Sequence, residues 1–126
     1  MSISLQVLEQ AIDAIARVPG VAMDPDNLVE DVVLLASVWE DAEEFDYAVA
    51  STVRALRLLA GDRVDTSDLA HDLAGYDSFH YQHRRSRGQK ADMRIVFRGE
   101  GGIIVVLGFG HRRLPSDVYR RLAATR

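Results

Sequence analysis

Residues 93–122 read MRIVFRGEGGIIVVLGFGHRRLPSDVYRRL, and two runs of strand-forming residues stand out in this stretch. The runs, Arg94–Phe97 and Ile103–Leu107, are separated by a glycine-rich link. β-Branched residues bounded by glycines are typical of a β-hairpin. The second run is apolar at five successive positions, so both of its faces should be covered by other parts of the protein. The pattern predicts two adjacent antiparallel strands packed on helices.

A cationic segment follows the second run directly. Gly108–Gly110 is expected to act as a hinge, and the cluster His111–Arg113 comes next. A cationic cluster at the end of a buried strand is held in place and faces outward, which suits the binding of an anion. A terminal helix is predicted over residues 116–124, with Ser116 as its N-cap and Tyr119 near its start.

The first sixty residues predict helices. Ile3–Val18 has apolar residues at spacings of three and four, which predicts an added N-terminal helix within residues 1–20. Its packing face is expected to contain Leu5, Leu8, Ile12 and Ile15. An edge strand over Ser2–Val7 stays open as an alternative, because that segment also alternates. If this helix shields the cationic cluster, it should lie near Arg112 with its acidic side chains toward it.

Two more helices are predicted within residues 24–60. Asp24 followed by Pro25 is typical of an N-cap and first helical residue. The acidic cluster at residues 40–46 lies at the start of the second of these helices, where negative charge interacts favourably with the helix dipole. The alternative is that this cluster guards the basic surface by lying over it. The expected buried stripes are Leu28, Val32, Leu35 and Trp39 in one helix and Phe45, Val49, Val53 (or Thr52) and Leu56 in the other.

Three antiparallel strands are expected to form a meander over residues 78–109. Its first strand is predicted at Ser78–Arg85, and a polar link over Arg85–Lys90 leads to the second. Residues 61–77 are predicted to be an irregular linker with one helical turn at Ser67–Leu73, in which His71 is exposed. The whole is predicted to be a single α+β domain, with the N-terminal helices on one face of a small antiparallel sheet. The basic side chains then belong on the other, partly open face.

Composition narrows the classes of function. The 126 residues carry a net charge of −4 and no cysteine, which excludes a disulfide framework and a thiolate metal site. No signal peptide or membrane-spanning run is recognised, so a cytoplasmic protein that does not enter a membrane is expected. The charge is uneven: residues 80–126 hold eleven Lys/Arg against three Asp/Glu, and residues 1–79 have a net charge of −12. Either the basic part binds a polyanion or the two halves neutralise each other.

The C-terminal half resembles the RelE/ParE superfamily of type II toxins. The resemblance covers about residues 73–126 and is carried by an arginine that opens a strand, then Gly-His-Arg-Arg, then Asp-Val-Tyr-Arg. It implies an α+β fold with helices on an antiparallel sheet, and it implies a cognate antitoxin that is acidic and partly disordered. Two features depart from the family's pattern: the acidic overall charge and the absence of lysine from the first meander strand.

The resemblance also implies functional residues. Arg94 matches the family's arginine at the start of the second meander strand, Arg112 the arginine after the third, and Tyr119 the tyrosine of the C-terminal Val-Tyr. The first meander strand, where ribonuclease members place lysines or histidines, offers His80 and His83 as acid–base candidates. The remaining basic candidates for nucleic-acid binding are Arg84, Arg85, Arg87, Lys90, Arg98, His111 and Arg113.

This inventory suits metal-free RNA cleavage. The reaction needs a base for the 2′-hydroxyl, cations for the phosphorane and an acid for the leaving oxygen. No cofactor is expected. A zinc site is rejected because His80 and His83 would face opposite sides of a strand. The first expectation is a RelE-like endoribonuclease that cleaves mRNA, in association with the ribosome. The alternatives are a ParE-like inhibitor of DNA gyrase without catalysis, and a non-toxic relative that serves as a protein-interaction module.

Overall fold

The computed structural model describes residues 3–61, 67–68 and 73–126, with the backbone alone at 67–68. The chain order of its elements is helix, strand, two helices, four strands and a helix. Their bounds are α1 Leu5–Ala16, β1 Val21–Met23, α2 Pro25–Val38, α3 Ala42–Ala60, β2 Ser67–Asp68, β3 Asp77–Tyr81, β4 Met93–Glu100, β5 Ile103–His111 and α4 Val118–Thr125.

The strands form one mixed sheet in the order β1-β5-β4-β3-β2. Strands β2 to β5 pair in antiparallel fashion, and β1 runs parallel to β5. The predicted pairing of Arg94–Phe97 with Ile103–Leu107 is confirmed, because these runs lie in the adjacent antiparallel strands β4 and β5. The fold class is α+β. The predicted first meander strand is too long, since β3 ends at Tyr81 and not at Arg85.

The two shortest strands were not predicted. Val21–Met23 forms β1 directly after Gly20, and Ser67–Asp68 pairs with the start of β3. The prediction of an irregular linker, or of a helical turn, is therefore wrong at residues 67–68. Strands of two or three residues are too short to show a period of two, so only pairing with a neighbour reveals them. His71 lies outside the described residues.

Helix α1 begins after Ser4, whose hydroxyl accepts a hydrogen bond from the backbone N–H of Val7. The alternative of an edge strand over Ser2–Val7 is therefore wrong where the structure describes it. Leu5 was expected in the packing face but is 71% exposed, whereas Ile3 is buried with Leu8 in the core. These two residues flank the N-cap as in a hydrophobic staple, which explains why Ile3 takes the place predicted for Leu5.

Helices α2 and α3 begin at aspartate caps. Asp24 accepts hydrogen bonds from the backbone N–H groups of residues 26 and 27, and Pro25 is the first helical residue, as predicted. Asp41 caps α3 by accepting from the N–H of Glu43. Of the residues in the predicted stripes, Leu28, Val32 and Leu35 in α2 and Phe45, Thr52 and Leu56 in α3 are buried, while Trp39, Val49 and Val53 pack at the margin of the core.

The two faces of the sheet are covered differently. Helices α1 to α3 cover one face, where Met93, Ile95 and Phe97 join the main core. Val96 lies on the other face and packs with Val118 and Leu122 of α4. This second face was expected to be partly open, and α4 covers the part of it around Val96. The chain continues from the cationic segment into α4, which packs back on the β4–β5 pair.

Gly108 and Gly110 are not a hinge. Both lie within β5, and neither has a positive φ angle. A Cβ atom at Gly108 would lie 2.4 Å from Leu122 Cδ2 and 2.4 Å from Arg126 Nη1. The two glycines therefore leave room for α4 to approach the sheet. The helix is capped by Asp117 and not by Ser116, since the Asp117 carboxylate accepts from the N–H of Arg120.

A buried carboxylate joins α2, β5 and α4. Asp31 is fully buried and accepts hydrogen bonds from the N–H of Phe109 at 3.0 Å, from Arg121 Nη1 at 2.7 Å and from Arg126 at 2.7 and 2.8 Å. Glu30, half-exposed, adds a second carboxylate 2.9 Å from Arg126 Nη2. The burial of Arg126 opposes its charge, but these two carboxylates prevail and raise its pKa. Two of the eleven cations of the basic segment are thus neutralised inside the fold.

Candidate anion-binding site

Three strand ends meet at one edge of the sheet. Because β3, β4 and β5 alternate in direction, the end of β3, the start of β4 and the end of β5 come together. His80 lies opposite Arg94 in the β3–β4 pair. Arg112 continues the ladder beyond β5 by donating its N–H to the backbone oxygen of Asp92 at 2.8 Å. Three candidates that are up to thirty-two positions apart in the chain therefore lie at the same edge of the sheet.

His80 and Tyr119 form a hydrogen-bonded pair. The Tyr119 hydroxyl lies 3.2 Å from His80 Nε2 and 2.6 Å from the hydroxyl of Ser78. Ser78 is buried, while His80 is exposed and Tyr119 half-buried. Partial burial lowers the pKa of His80, and the nearby Arg94 charge lowers it further. His80 is therefore an imidazole that favours its neutral form and stands next to a hydroxyl and a guanidinium.

Arg94 forms no ion pair with the carboxylates that the structure describes. Its Nη1 donates to the backbone oxygens of Ala91 at 2.8 Å and Met93 at 2.9 Å. These contacts hold the half-buried guanidinium against the start of its own strand without neutralising its charge. The charges of Arg94 and Arg112 both act on His111 and lower its pKa, so the two arginines share one electrostatic environment.

His83 is held between two carboxylates. Its Nδ1 lies 2.5 Å from Asp92 Oδ2, and its Nε2 lies 3.0 Å from Glu44 Oε2. Its ring also stacks on Trp39 with 4.3 Å between the ring centroids. The hydrogen bond from His83 is the main cause that lowers the pKa of Glu44, and the Arg84 guanidinium adds to it. With both ring nitrogens engaged, His83 joins α3 to the segment between β3 and β4.

His111 organises the turn that leads to α4. Its Nδ1 accepts hydrogen bonds from the backbone N–H groups of Arg113 at 3.0 Å and Leu114 at 3.1 Å. Its ring lies 5.6 Å from that of Trp39, in a tilted arrangement. Burial is the largest cause that lowers its pKa. Since Nδ1 accepts from two donors, His111 acts as a neutral cap of this turn. Trp39, which was expected to be a core residue, also contacts the two candidate histidines His83 and His111.

A cleft of about 620 Å³ opens beside these residues. It lies between Glu44 of α3, Arg112 and the loop that joins β3 to β4. Arg84 at its wall pairs with Glu44 Oε1 at 2.8 Å and lies over the Tyr47 ring. The cations at its wall are Arg84, Arg85, Lys90 and Arg112.

The remaining basic candidates lie elsewhere. Arg98 pairs with Glu100 at 3.1 Å and contacts Tyr76, near the far end of β4. Arg87 and Arg113 are exposed. The structure thus groups His80, Arg94, Tyr119 and Arg112 at one edge of the sheet and Arg84, Arg85 and Lys90 at the adjoining cleft.

Sequence reasoning missed several residues that shape the site. Asp92 and Glu44 hold His83, and Ser78 holds Tyr119. Glu44 belongs to the acidic cluster considered as a guard, and it does meet the basic segment, whereas Asp41 caps α3. The proposed guard α1 packs on α2, α3 and β1, and its Asp13 pairs with Arg17 of the same helix. Contacts across such distances along the chain leave no local periodic signal.

Across residues 3–61 and 73–126, no group of three His, Cys, Asp or Glu side chains is placed to hold a metal ion. No helix in the described part of the chain has the length and apolar character needed to span a bilayer. No protein-family model, no curated protein and no solved structure matches the chain. The resemblance to the RelE/ParE superfamily therefore stays an expectation.

Proposed function

We propose that this protein is a metal-free endoribonuclease of the RelE type, which cleaves mRNA in association with the ribosome. The observation that carries the proposal is the His80–Tyr119 hydrogen bond of 3.2 Å beside Arg94, at the edge of the sheet that also holds Arg112. An imidazole, a hydroxyl and two guanidinium groups are the parts that phosphodiester transesterification requires. The toxin role, with an acidic antitoxin as partner, rests on the resemblance of residues 73–126.

Each residue has a role that follows from its chemistry. His80, with its lowered pKa, takes the proton from the 2′-hydroxyl, because a base must be neutral to accept one. Arg94 and Arg112 stabilise the negative charge that builds up on the phosphorane oxygens. The Tyr119 hydroxyl donates a proton to the leaving 5′-oxygen. The products are a 2′,3′-cyclic phosphate and a 5′-hydroxyl.

His83 has a different role in this proposal. Both of its ring nitrogens are engaged by carboxylates, so it is poorly placed to accept a proton from RNA. It instead fixes the segment from which the cleft is built. Asp92 connects this segment to the site, since its carboxylate holds His83 and its backbone oxygen accepts the N–H of Arg112.

Arg112→Ala tests the proposal directly. The side chain of Arg112 has no hydrogen bond or ion pair among the side chains that the structure describes, so its loss should hardly change the free energy of unfolding, by about 0.5 kcal/mol at most. Losing one preorganised donor to the phosphorane typically costs about 10²–10³ in rate. We expect RNA cleavage and growth arrest to be lost while the melting temperature stays nearly constant.

Arg113→Ala is the matched control. It removes the neighbouring, exposed cation and should reduce cleavage much less. An Arg112→Ala protein that is folded and fully active would contradict the catalytic assignment, and so would one that fails to fold. Failure to fold would mean that Arg112 is a structural residue.

One observation favours a second candidate, the non-toxic interaction module. The basic segment is partly neutralised within the fold, by Asp31 and Glu30 at α4 and by Glu44 at Arg84. Induced expression separates the candidates. Growth arrest with rapid loss of mRNA is expected for the endoribonuclease, arrest with DNA damage for a gyrase inhibitor, and unaffected growth for the interaction module.

A further inference from the structure

The cleft beside the site has an excess of positive charge. Its wall carries the cations Arg84, Arg85, Lys90 and Arg112 and the carboxylates of Glu44 and Asp92. Among these groups the cations outnumber the carboxylates by four to two. A concave site of about 620 Å³ is within the usual size range of small-ligand pockets, so it is large enough for one nucleotide unit.

The two carboxylates are engaged by His83 and Arg84, so neither pairs with the other three cations. Glu44 contacts His83 and Arg84, and both oxygens of Asp92 are engaged by His83. By contrast, Arg85 and Lys90 make no hydrogen bond or ion pair through their side chains in the part of the chain described with side chains. Together with Arg112 they are three cations that border one cleft and lack an internal counter-charge.

The loop that carries two of these cations is held in place by hydrogen bonds. The side-chain amide of Gln82 donates to the backbone oxygens of Ser86 at 3.0 Å and Gln89 at 2.8 Å, and its oxygen accepts from the N–H of Ser86 at 3.1 Å. Gly88 adopts a φ of 79°, which lets the loop turn. Three hydrogen bonds from one side chain thus hold the loop around the cleft.

We propose that the cleft is a second subsite, which takes a backbone phosphate of the single-stranded RNA that flanks the phosphate at His80 and Tyr119. This inference rests on the proposed function for the identity of the strand. Arg112 connects the two places, since it borders the cleft and follows the edge of the sheet. Guanidinium and ammonium groups without internal partners favour phosphate, which arginine binds through two parallel hydrogen bonds.

The test measures binding separately from cleavage. A short single-stranded RNA with 2′-O-methyl groups cannot be cleaved by its own 2′-oxygen, and its affinity is measured by fluorescence anisotropy at several salt concentrations. For single strands, the slope of log affinity against log salt changes by about 0.7 for each phosphate neutralised. Arg85→Gln and Lys90→Gln should each weaken binding and make this slope shallower. Arg57→Gln removes an exposed cation of α3 outside the cleft and should leave affinity and slope as in the wild type.

The outcomes distinguish this inference from the proposed function. With an RNA that can be cleaved, the two cleft variants should raise KM and leave kcat unchanged. Cleft variants with the wild-type affinity and salt slope would overturn the subsite, even if cleavage persists. Binding that depends on Arg85 and Lys90 without any cleavage would retain the subsite and overturn the endoribonuclease. A third outcome is that both variants bind the RNA as the wild type does, while an acidic peptide binds only when both residues are present. It would overturn the subsite in favour of a protein partner.

Discussion

His80 and His111 both lie close to Arg94, but they have different roles. Burial is the largest cause that lowers the pKa of each, and the Arg94 charge contributes to both. His111 uses Nδ1 to accept two backbone hydrogen bonds, whereas His80 contacts only the Tyr119 hydroxyl among the described side chains. At the residue scale, hydrogen-bond partners decide which histidine is free to react.

The pH dependence of cleavage tests the role of His80. A base with a pKa below the ordinary value of 6.5 is deprotonated at neutral pH and becomes protonated only as the pH falls below that value. We therefore expect kcat/KM to be steady near neutral pH and to decline in acid with a midpoint below 6.5. Cleavage rates across a pH series measure this, with the folded fraction followed by circular dichroism. His80→Gln should remove the acid limb along with most of the activity.

The loss of Tyr119 and the loss of Ser78 should differ. Tyr119→Phe removes the hydroxyl that contacts His80 and Ser78 but keeps the ring. We expect kcat to fall with little change in KM, because a proton donor acts mainly in the transition state. Ser78→Ala only removes the group that holds this hydroxyl and should reduce kcat less. Equal kcat values for Tyr119→Phe and the wild type would remove Tyr119 from the mechanism.

Among the elements, α4 depends most on its contacts with the sheet. It approaches β5 closely because Gly108 has no side chain, and Leu122, fully buried, fills the space. Gly108→Ala would place a Cβ atom 2.4 Å from Leu122 Cδ2 and from a guanidinium that is held in the Asp31 network. Overpacking of this kind typically costs about 1–3 kcal/mol.

The expected result is a lower free energy of unfolding for Gly108→Ala, measured by urea titration. Gly99→Ala is the control, because a Cβ atom at Gly99 meets nothing within 4 Å. It should be close to neutral. Equal stability of the two variants would mean that α4 can move away from the sheet at little cost.

The Asp31 network also holds α4, through Arg121 and Arg126. Asp31→Ala would leave two arginines and the N–H of Phe109 without their buried acceptor. Removing one partner of a buried ion pair typically costs about 3–5 kcal/mol. Glu30→Ala removes a half-exposed carboxylate from the same cluster and should cost at most about 1 kcal/mol. Urea unfolding of both variants measures the difference, and an Asp31→Ala protein as stable as Glu30→Ala would show that the network contributes little.

For the whole molecule, acid should destabilise the fold in two stages. The pKa of His111 is lowered in the folded state, so the unfolded chain binds this proton first and stability falls as the pH drops below 6.5. The pKa of Glu44 is also lowered, chiefly by the hydrogen bond from His83. Its contribution is present above 4.5 and is lost as the pH falls through its lower folded value. Urea titrations from pH 7 to acid should show both declines, and Glu44→Gln should weaken the second. A constant free energy of unfolding above pH 4.5 would contradict the part assigned to His111.

The charge asymmetry of the chain is partly neutralised inside the fold and partly left at one cleft. Asp31 and Glu44, from the acidic half, neutralise arginines of the basic half inside the fold. Arg85, Lys90 and Arg112 stay without such partners and border one cleft. Internal neutralisation and an outward-facing cationic surface therefore occur together in one molecule.

Features that depend on neighbours in the chain could be predicted from the order of the residues. The glycine-bounded runs indicated the β4–β5 pair, the spacing in residues 3–18 indicated a helix, and Asp24 before Pro25 indicated the start of α2. Hydrophobic periods, caps and turns act over a few residues, so they are visible in the order of the residues. The placement of His80, Arg94 and Arg112 at one edge also follows from antiparallel strands once β3 is placed.

Features that depend on pairing between distant parts of the chain became visible only in the folded protein. The strand β1 is three residues long and exists through its parallel pairing with β5. Gly108 looked like part of a hinge and is a strand residue that makes room for α4. Asp31 looked like one more acidic residue of a helix, yet it is buried because arginines 90 and 95 positions away supply its counter-charge. Desolvation and packing act through space, so no local pattern could reveal which of these polar residues lie inside.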